Sequence, residues 1–176
     1  SINPATNQKL ATVANADVTD TKRAIDVAAH TFSSGIWSNM PVEERSAILC
    51  KMSDLILEKV DEISLVETLD VGKPIKESRG FDIPRAAANF RFFAEMAKYM
   101  VHEHYDMSKF MSYTEYAPVG VTSLIIPWNL PFMQMTWKAS AALAAGNTVV
   151  IKPASYTPLS AVMLGEIANE AGLPPG

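Results

Sequence analysis

One cysteine, Cys50, stands in 176 residues, so no intrachain disulfide can form and a reducing compartment is expected. The three histidines, His30, His102 and His104, offer no tetrahedral set for a metal, and His102-Glu103-His104 reads as a solvated turn. No apolar run approaches the ~18 residues of a membrane-spanning helix. The opening Ser1-Ile2-Asn3-Pro4 carries neither the basic nor the apolar stretch of a secretory leader, so no membrane partner and a cytoplasmic location are expected. Positive charge is also short: 15 Lys and Arg stand against 19 Asp and Glu, the net charge is −4 and the pI about 5.4. The basic residues are scattered, which argues against a nucleic-acid partner. Repeats and low-complexity tracts are missing too. What is abundant is apolar residues, 48% of the chain, enough for one substantial core and hence one domain or a domain plus an arm.

The first half reads as helices. Asp17 or Thr19 caps a helix with Ala24, Val27, Ala28 and Thr31 at three- and four-residue spacing. Pro41, with Glu43 and Glu44 in the first turn, opens a second, whose stripe is Ile48, Leu49, Met52, Leu55 and Ile56. Cys50 falls between stripe positions, as a structural thiol rather than a nucleophile. Asp61 is expected to cap a short helix ending at Gly72-Lys73-Pro74, and Asp82 with Pro84 to start a long one bearing Ala86, Phe90, Phe93, Ala97 and Met100. From Lys109 the alternation of Phe110, Ser112, Thr114 and Tyr116 reads as one arm of a hairpin.

The second half changes character. Gly120 to Ile126 is apolar and β-branched, as suits a strand buried on both faces of a parallel sheet, and Thr148 to Ile151 repeats the pattern after a Gly-Asn stop. Between them Pro131 to Ala145 is long enough for a helix, with Trp137, Ala141, Leu143 and Ala144 available for packing. Thr157 and Pro158 should start a further helix that stops at Gly172. The fold class is therefore α/β, with strand, helix, strand and helix in strict order. In such sheets the ligand lies beyond the carboxyl ends of the strands, here Pro127-Trp128-Asn129 and Lys152-Pro153-Ala154-Ser155. The Asn amide and the Lys ammonium are donors suited to an oxyanion and to ribose or phosphate oxygens. Equally, Asn129 can cap the helix that follows, Lys152 can be a solvated lysine, and Trp128 can be a half-buried anchor.

The run IIPWNLPFMQMTWK, then AALAAGNTVVIKPA, TPLSA and AGLPPG, resembles the cofactor-binding region of the NAD(P)-dependent aldehyde dehydrogenases. Asn3-Pro4-Ala5-Thr6, Gly72-Lys73-Pro74 and Pro118-Val119-Gly120-Val121 resemble earlier motifs of the same family, so the likeness runs through the whole chain. It implies a Rossmann-like parallel sheet flanked by helices. Residues 1–106 and 119–176 would form the N-terminal part of the NAD(P)-binding domain, and residues 107–118 an arm that joins subunits into a homodimer or homotetramer. It also implies NAD or NADP as cofactor and an aldehyde or semialdehyde as substrate.

In the resembled family a cysteine attacks the aldehyde, hydride passes to the nicotinamide and a glutamate-activated water releases the acid; that cysteine and glutamate are expected beyond Gly176. By the same resemblance Asn129 holds the oxyanion and Lys138 stands behind the active site. Lys152 reaches the ribose, with Ala154 and Ser155 beside it. Ile125, Ile126, Pro127 and Trp128 flank the cofactor, and Leu130 and Trp137 the substrate tunnel. Ser155 departs from the glutamate common in NAD-preferring members, which implies use of NADP. The segments Asp82 to Arg85 and Asn89 to Phe93 resemble members acting on muconic-type semialdehydes, on a helix expected to lie away from the tunnel. Two alternatives stay open: an acyl-CoA- or acyl-phosphate-linked relative, and a non-catalytic nucleotide-binding module.

Overall fold

A computed structural model describes residues 1–176. Helix α1, Val18–Ser34, starts on a reciprocal box in which Asp17 and Asp20 each accept the other's backbone N–H, and ends at Gly35 in the left-handed region, φ 76°. Ala28 and Thr31 are buried, whereas Ala24 and Val27 face solvent. Helix α2, Val42–Glu58, buries Leu49, Met52, Leu55 and Ile56 as its spacing predicts. Helix α3, Val60–Val71, follows after the single junction residue Lys59. Asp61 therefore lies inside α3 and pairs with Arg79 instead of capping. Gly72, φ 83°, closes α3.

After the short α4, Ile75–Glu77, a π-helical turn at Ser78–Asp82 leads into α5, Ile83–Ala97. Asp82 caps nothing; it is paired with Lys73, both side chains almost buried. Met100 falls outside the helix and is exposed. The hairpin β1, His104–Asp106, and β2, Met111–Tyr113, is antiparallel and exposed throughout. It begins ahead of residue 107, where the arm was expected, and His104 lies in a strand rather than a turn.

Strand β3, Val121–Ile125, helix α6, Pro131–Ala144, strand β4, Thr148–Lys152, and helix α7, Leu159–Ala171, complete the chain. The strands pair in parallel, Val121 with Thr148 through Ile125 with Lys152. Asn147 sets the register: its Oδ1 accepts from the N–H groups of Val119 (2.7 Å) and Gly120 (3.0 Å), while its Nδ2 donates to Ala142 O. Contrary to the expectation of full burial, only Leu124 and Thr148 of these strands are buried, because a two-stranded sheet leaves each strand one unpaired edge. The apolar core lies among α2, α5, α6 and α7, with Phe90, Phe132, Ile56 and Met135 fully enclosed. Trp37 is pinned into it by a 3.0 Å bond from its indole N–H to Leu143 O. No helix is long and apolar enough to cross a membrane.

Candidate active site at the strand ends

Parallel pairing in matched register brings the carboxyl ends of β3 and β4 side by side, so Pro127–Leu130 and Pro153–Ser155 leave the same edge. The ladder runs one residue further, with Ile126 N–H donating to Lys152 O at 3.0 Å. Ile126 itself is 2% exposed and packs in the core. Its side chain is enclosed, so only its backbone is open to the cofactor role expected of it. Ile125 points outward, 70% exposed, and its carbonyl accepts from Lys138 Nζ at 2.6 Å. Lys138 is thus tied to the end of β3, one strand-end carbonyl from the Asn129 loop.

Asn129 is exposed. Its Oδ1 accepts from Gln134 Nε2 at 3.2 Å, which leaves both hydrogens of its own amide nitrogen unpaired and able to donate outward. The capping alternative fails: Leu130 occupies the N-cap position of α6, and no nearby side chain caps that helix. The bond comes from another helix. Glu67 on α3 accepts the Phe132 N–H at 3.2 Å, although it is 1% exposed and 65 residues distant in sequence. Burial pushes the Glu67 carboxyl up to about 7; the Phe132 amide and Lys73 pull it down, and Asp82 adds to the rise. Its Oε2 and the Ser160 Oγ are both without a hydrogen-bond partner.

At the other strand end, Lys152 is exposed with Nζ on Pro153 O at 2.7 Å. Ala154 O accepts from Thr157 N at 3.1 Å, forming a turn that leaves the Ser155 side chain in solvent. Thr157 does not cap α7 as expected; its hydroxyl is buried and unpartnered, and Pro158 takes the N-cap position. Asp70, one turn beyond Glu67, caps instead, accepting Leu159 N–H at 3.0 Å while its other oxygen accepts from the Ser1 hydroxyl. Trp128, 59% exposed, lines one cleft of about 530 Å³ with Ser155, Tyr156, Thr157, Ile2 and Asp70. An exposed lysine, a free serine hydroxyl and an aromatic face, with no carboxylate from Lys152 to Pro158, suit the ribose and phosphates of a dinucleotide.

Trp137, 43% exposed, and the half-buried Leu130 lie on the α6 side. Helix α5, expected to lie away from the tunnel, packs along α6, and Arg85, Asn89, Phe92 and Phe93 share a cleft of about 480 Å³ with Trp137. Arg85 has no ion pair or hydrogen bond. Cys50 is half-buried with Sγ 3.5 Å from Glu95 Oε1, and burial first, then that contact, raises its thiol above the ordinary value. That shift is opposite in direction to the one that activates a nucleophilic thiol. Glu67, Asp70 and Gln134 carry no local signal as supports, because their partners are fixed only by tertiary packing.

The whole chain, residues 1–176, matches the family described as the aldehyde dehydrogenase family. It is 43% identical over 175 residues to the 5-carboxymethyl-2-hydroxymuconate semialdehyde dehydrogenase of Escherichia coli, covering 99% of this chain and 37% of that protein. It is 41% identical to an NADP/NAD-dependent aldehyde dehydrogenase of Escherichia coli (strain K12), covering 99% and 36% respectively. A crystal structure of an indole-3-acetaldehyde dehydrogenase complexed with NAD+ superposes with a TM-score of 0.97 at 37% identity, covering 99% of this chain and 35% of that one. The chain thus spans little more than a third of the length of the relatives it matches. With a matched family description from end to end and solved relatives of the same α/β architecture, the chain belongs to the aldehyde dehydrogenase family.

Proposed function

We propose that this chain serves an NAD(P)-dependent enzyme that oxidises an aldehyde: aldehyde, water and NAD(P)+ give the carboxylic acid, NAD(P)H and a proton. The observation that carries this reading is the Asn129 amide, exposed at the end of β3 with its carbonyl oxygen engaged by Gln134 and its two N–H donors free. Such a donor meets the negative charge that grows on the aldehyde oxygen when a nucleophile adds to it. The bound dinucleotide supplies the hydride acceptor. Lys152 and Ser155 hold its ribose, Trp128 and the outward Ile125 flank it, and Pro127 and Ala154 shape the backbone beside it. Lys138, fixed on the Ile125 carbonyl, keeps the end of β3 in place behind the donor. The nucleophile is a cysteine other than Cys50, and a reducing, cytoplasmic setting suits it.

The substrate we assign is a semialdehyde that carries a carboxylate. Arg85, unpaired at the margin of a cleft walled by Trp137, Phe92 and Phe93, is the fitting recognition element: a guanidinium for the carboxylate and aromatic faces for an unsaturated chain. The name of the Escherichia coli relative, a carboxymethyl-bearing muconate semialdehyde dehydrogenase, points the same way. NAD(P)H formation by the enzyme carrying this chain should favour a carboxylated semialdehyde over an uncharged aldehyde of equal length, and Arg85→Met should erase most of that preference, about 10- to 100-fold in kcat/KM. Equal kcat/KM for the two substrates in the unaltered enzyme would refute the assignment.

The exposed hairpin is the proposed association arm of a homodimer or homotetramer, since Tyr105, Phe110, Met111, Tyr113 and Tyr116 are all more than half exposed on an unpaired two-stranded ribbon. Replacing Phe110 and Tyr116 by aspartate should lower the mass measured by light scattering to that of a smaller assembly. An unchanged mass would remove the arm from the interface.

A further inference from the structure

We infer that Glu67 and Gln134 are positioning residues for the Asn129 amide, linked through the first turn of α6. The inference rests on the oxyanion reading of Asn129. Four observations join into one chain of contacts. Helix α6 opens with Pro131, which has no N–H to be capped, so Phe132 presents the first backbone donor of the helix. Nothing next to it in sequence accepts that donor; the Glu67 carboxylate, reaching in from α3, does so at 3.2 Å. Gln134 sits two residues on, its own N–H bonded to Leu130 O at 2.9 Å, and its side-chain amide donates to Asn129 Oδ1 at 3.2 Å. The orientation of the Asn129 donors is therefore referred back through Gln134 to the start of α6, and through Phe132 to a side chain that is 1% exposed and cannot swing.

The placement of Glu67 is costly for anything but a position that needs it. A carboxyl there is enclosed with one oxygen unpartnered, beside the unpartnered Ser160 hydroxyl, and near the buried Lys73–Asp82 pair. A smaller cap on the helix's own N-terminal loop would satisfy Phe132 without burial, and Leu130 offers none. What the distant acceptor adds is rigidity: it ties the loop after β3 to α3 instead of leaving it to the loop's own conformation. An amide aimed at a developing oxyanion needs that, since small misplacements of a donor cost large factors in rate.

The test uses the whole enzyme that carries this chain, with Glu67→Met, which keeps the volume but removes the acceptor, and Gln134→Leu at the half-exposed neighbour, where folding is not at stake. Each should lower kcat about tenfold with the cofactor KM within about twofold, and Glu67→Gln, which retains an acceptor oxygen, should restore most of the rate. The distinguishing readout is the double variant: neither change should slow the reaction further once Asn129→Ala is present. Losses of equal size with and without Asn129→Ala would overturn the positioning role, as would unchanged kcat in Gln134→Leu. If Asn129→Ala alone keeps full kcat, the oxyanion reading falls first and this inference falls with it; if Asn129→Ala is slow while Glu67→Met and Gln134→Leu are not, only this inference falls.

Discussion

The two strand ends leave one edge of one two-stranded sheet, yet they are fastened in different ways. After β3 the chain turns into α6, whose first donor is held by Glu67; after β4 it turns into α7, whose first donor is held by Asp70. The two acids are three residues apart on α3, so a single helix face braces both loops. Asp70 is satisfied on both oxygens, by Leu159 N–H and the Ser1 hydroxyl. Glu67 is not: its second oxygen is unpartnered, and burial holds its carboxyl near 7. Of the two acids, the one beneath the loop of Lys152 and Ser155 is thus hydrogen-bonded on both oxygens, although the Thr157 hydroxyl in that loop is buried and unpartnered. The acid beneath the loop of Asn129 is hydrogen-bonded on one oxygen only.

The comparison is broken most severely at Asn129. Asn129→Ala should lower kcat by ~10² to 10³, the usual cost of losing one oxyanion donor, with thermal stability unchanged because the side chain is exposed and caps nothing. Steady-state rates and a melting curve on the same preparation check both halves.

Next in size is the electrostatic cost at Glu67. Its folded value of about 7 lies above its ordinary value of 4.5, so the folded state keeps a proton that the unfolded chain has released. This group's contribution is fully present below about pH 4.5, falls as the pH rises through about 7, and totals at most about 3 kcal/mol. Urea midpoints at mildly acid and mildly alkaline pH should therefore diverge for the unaltered protein and converge for Glu67→Gln. A difference between the two proteins that is the same at both pH values would show that Glu67 does not carry that proton.

The smallest effect belongs to the other strand end. Ser155 neither accepts strongly from ribose hydroxyls nor repels a 2′-phosphate, and Lys152 nearby can pair with that phosphate, so NADP should serve at least comparably to NAD. Ser155→Glu should shift the kcat/KM ratio toward NAD by roughly 10- to 100-fold. An enzyme that rejects NADP from the outset and is indifferent to the substitution would detach Ser155 from the ribose.

Much of this architecture was legible in the sequence because its signals are local. The β-branched runs before Ile126 and Lys152, the Gly146-Asn147 stop and the cap offered by Asp17 each act within a few residues, and strands and helices form where they indicate. The failures share a cause. Thr157 and Asp61 are good caps by residue type, but Asp70 arrives from α3 to hold α7, and α2 runs into α3 with only Lys59 between. Asp82 looked like a cap and is consumed by Lys73. The outward-facing donors Asn129 and Lys152 were readable from their positions after strands, whereas the supports Glu67 and Gln134 were not. A glutamate in a run of helix formers carries no mark of the distant amide it will meet, and Arg85 none of the tryptophan across the groove.

The central claim is that the β3 end acts on the reacting oxygen and the β4 end on the dinucleotide. Initial rates over a grid of aldehyde and cofactor concentrations, for the unaltered enzyme, Asn129→Ala and Lys152→Ala side by side, test it most directly. The account predicts that Asn129→Ala loses kcat with the cofactor KM held, and that Lys152→Ala raises the cofactor KM with kcat held. The reverse assignment, or both variants losing the same parameter, would contradict it.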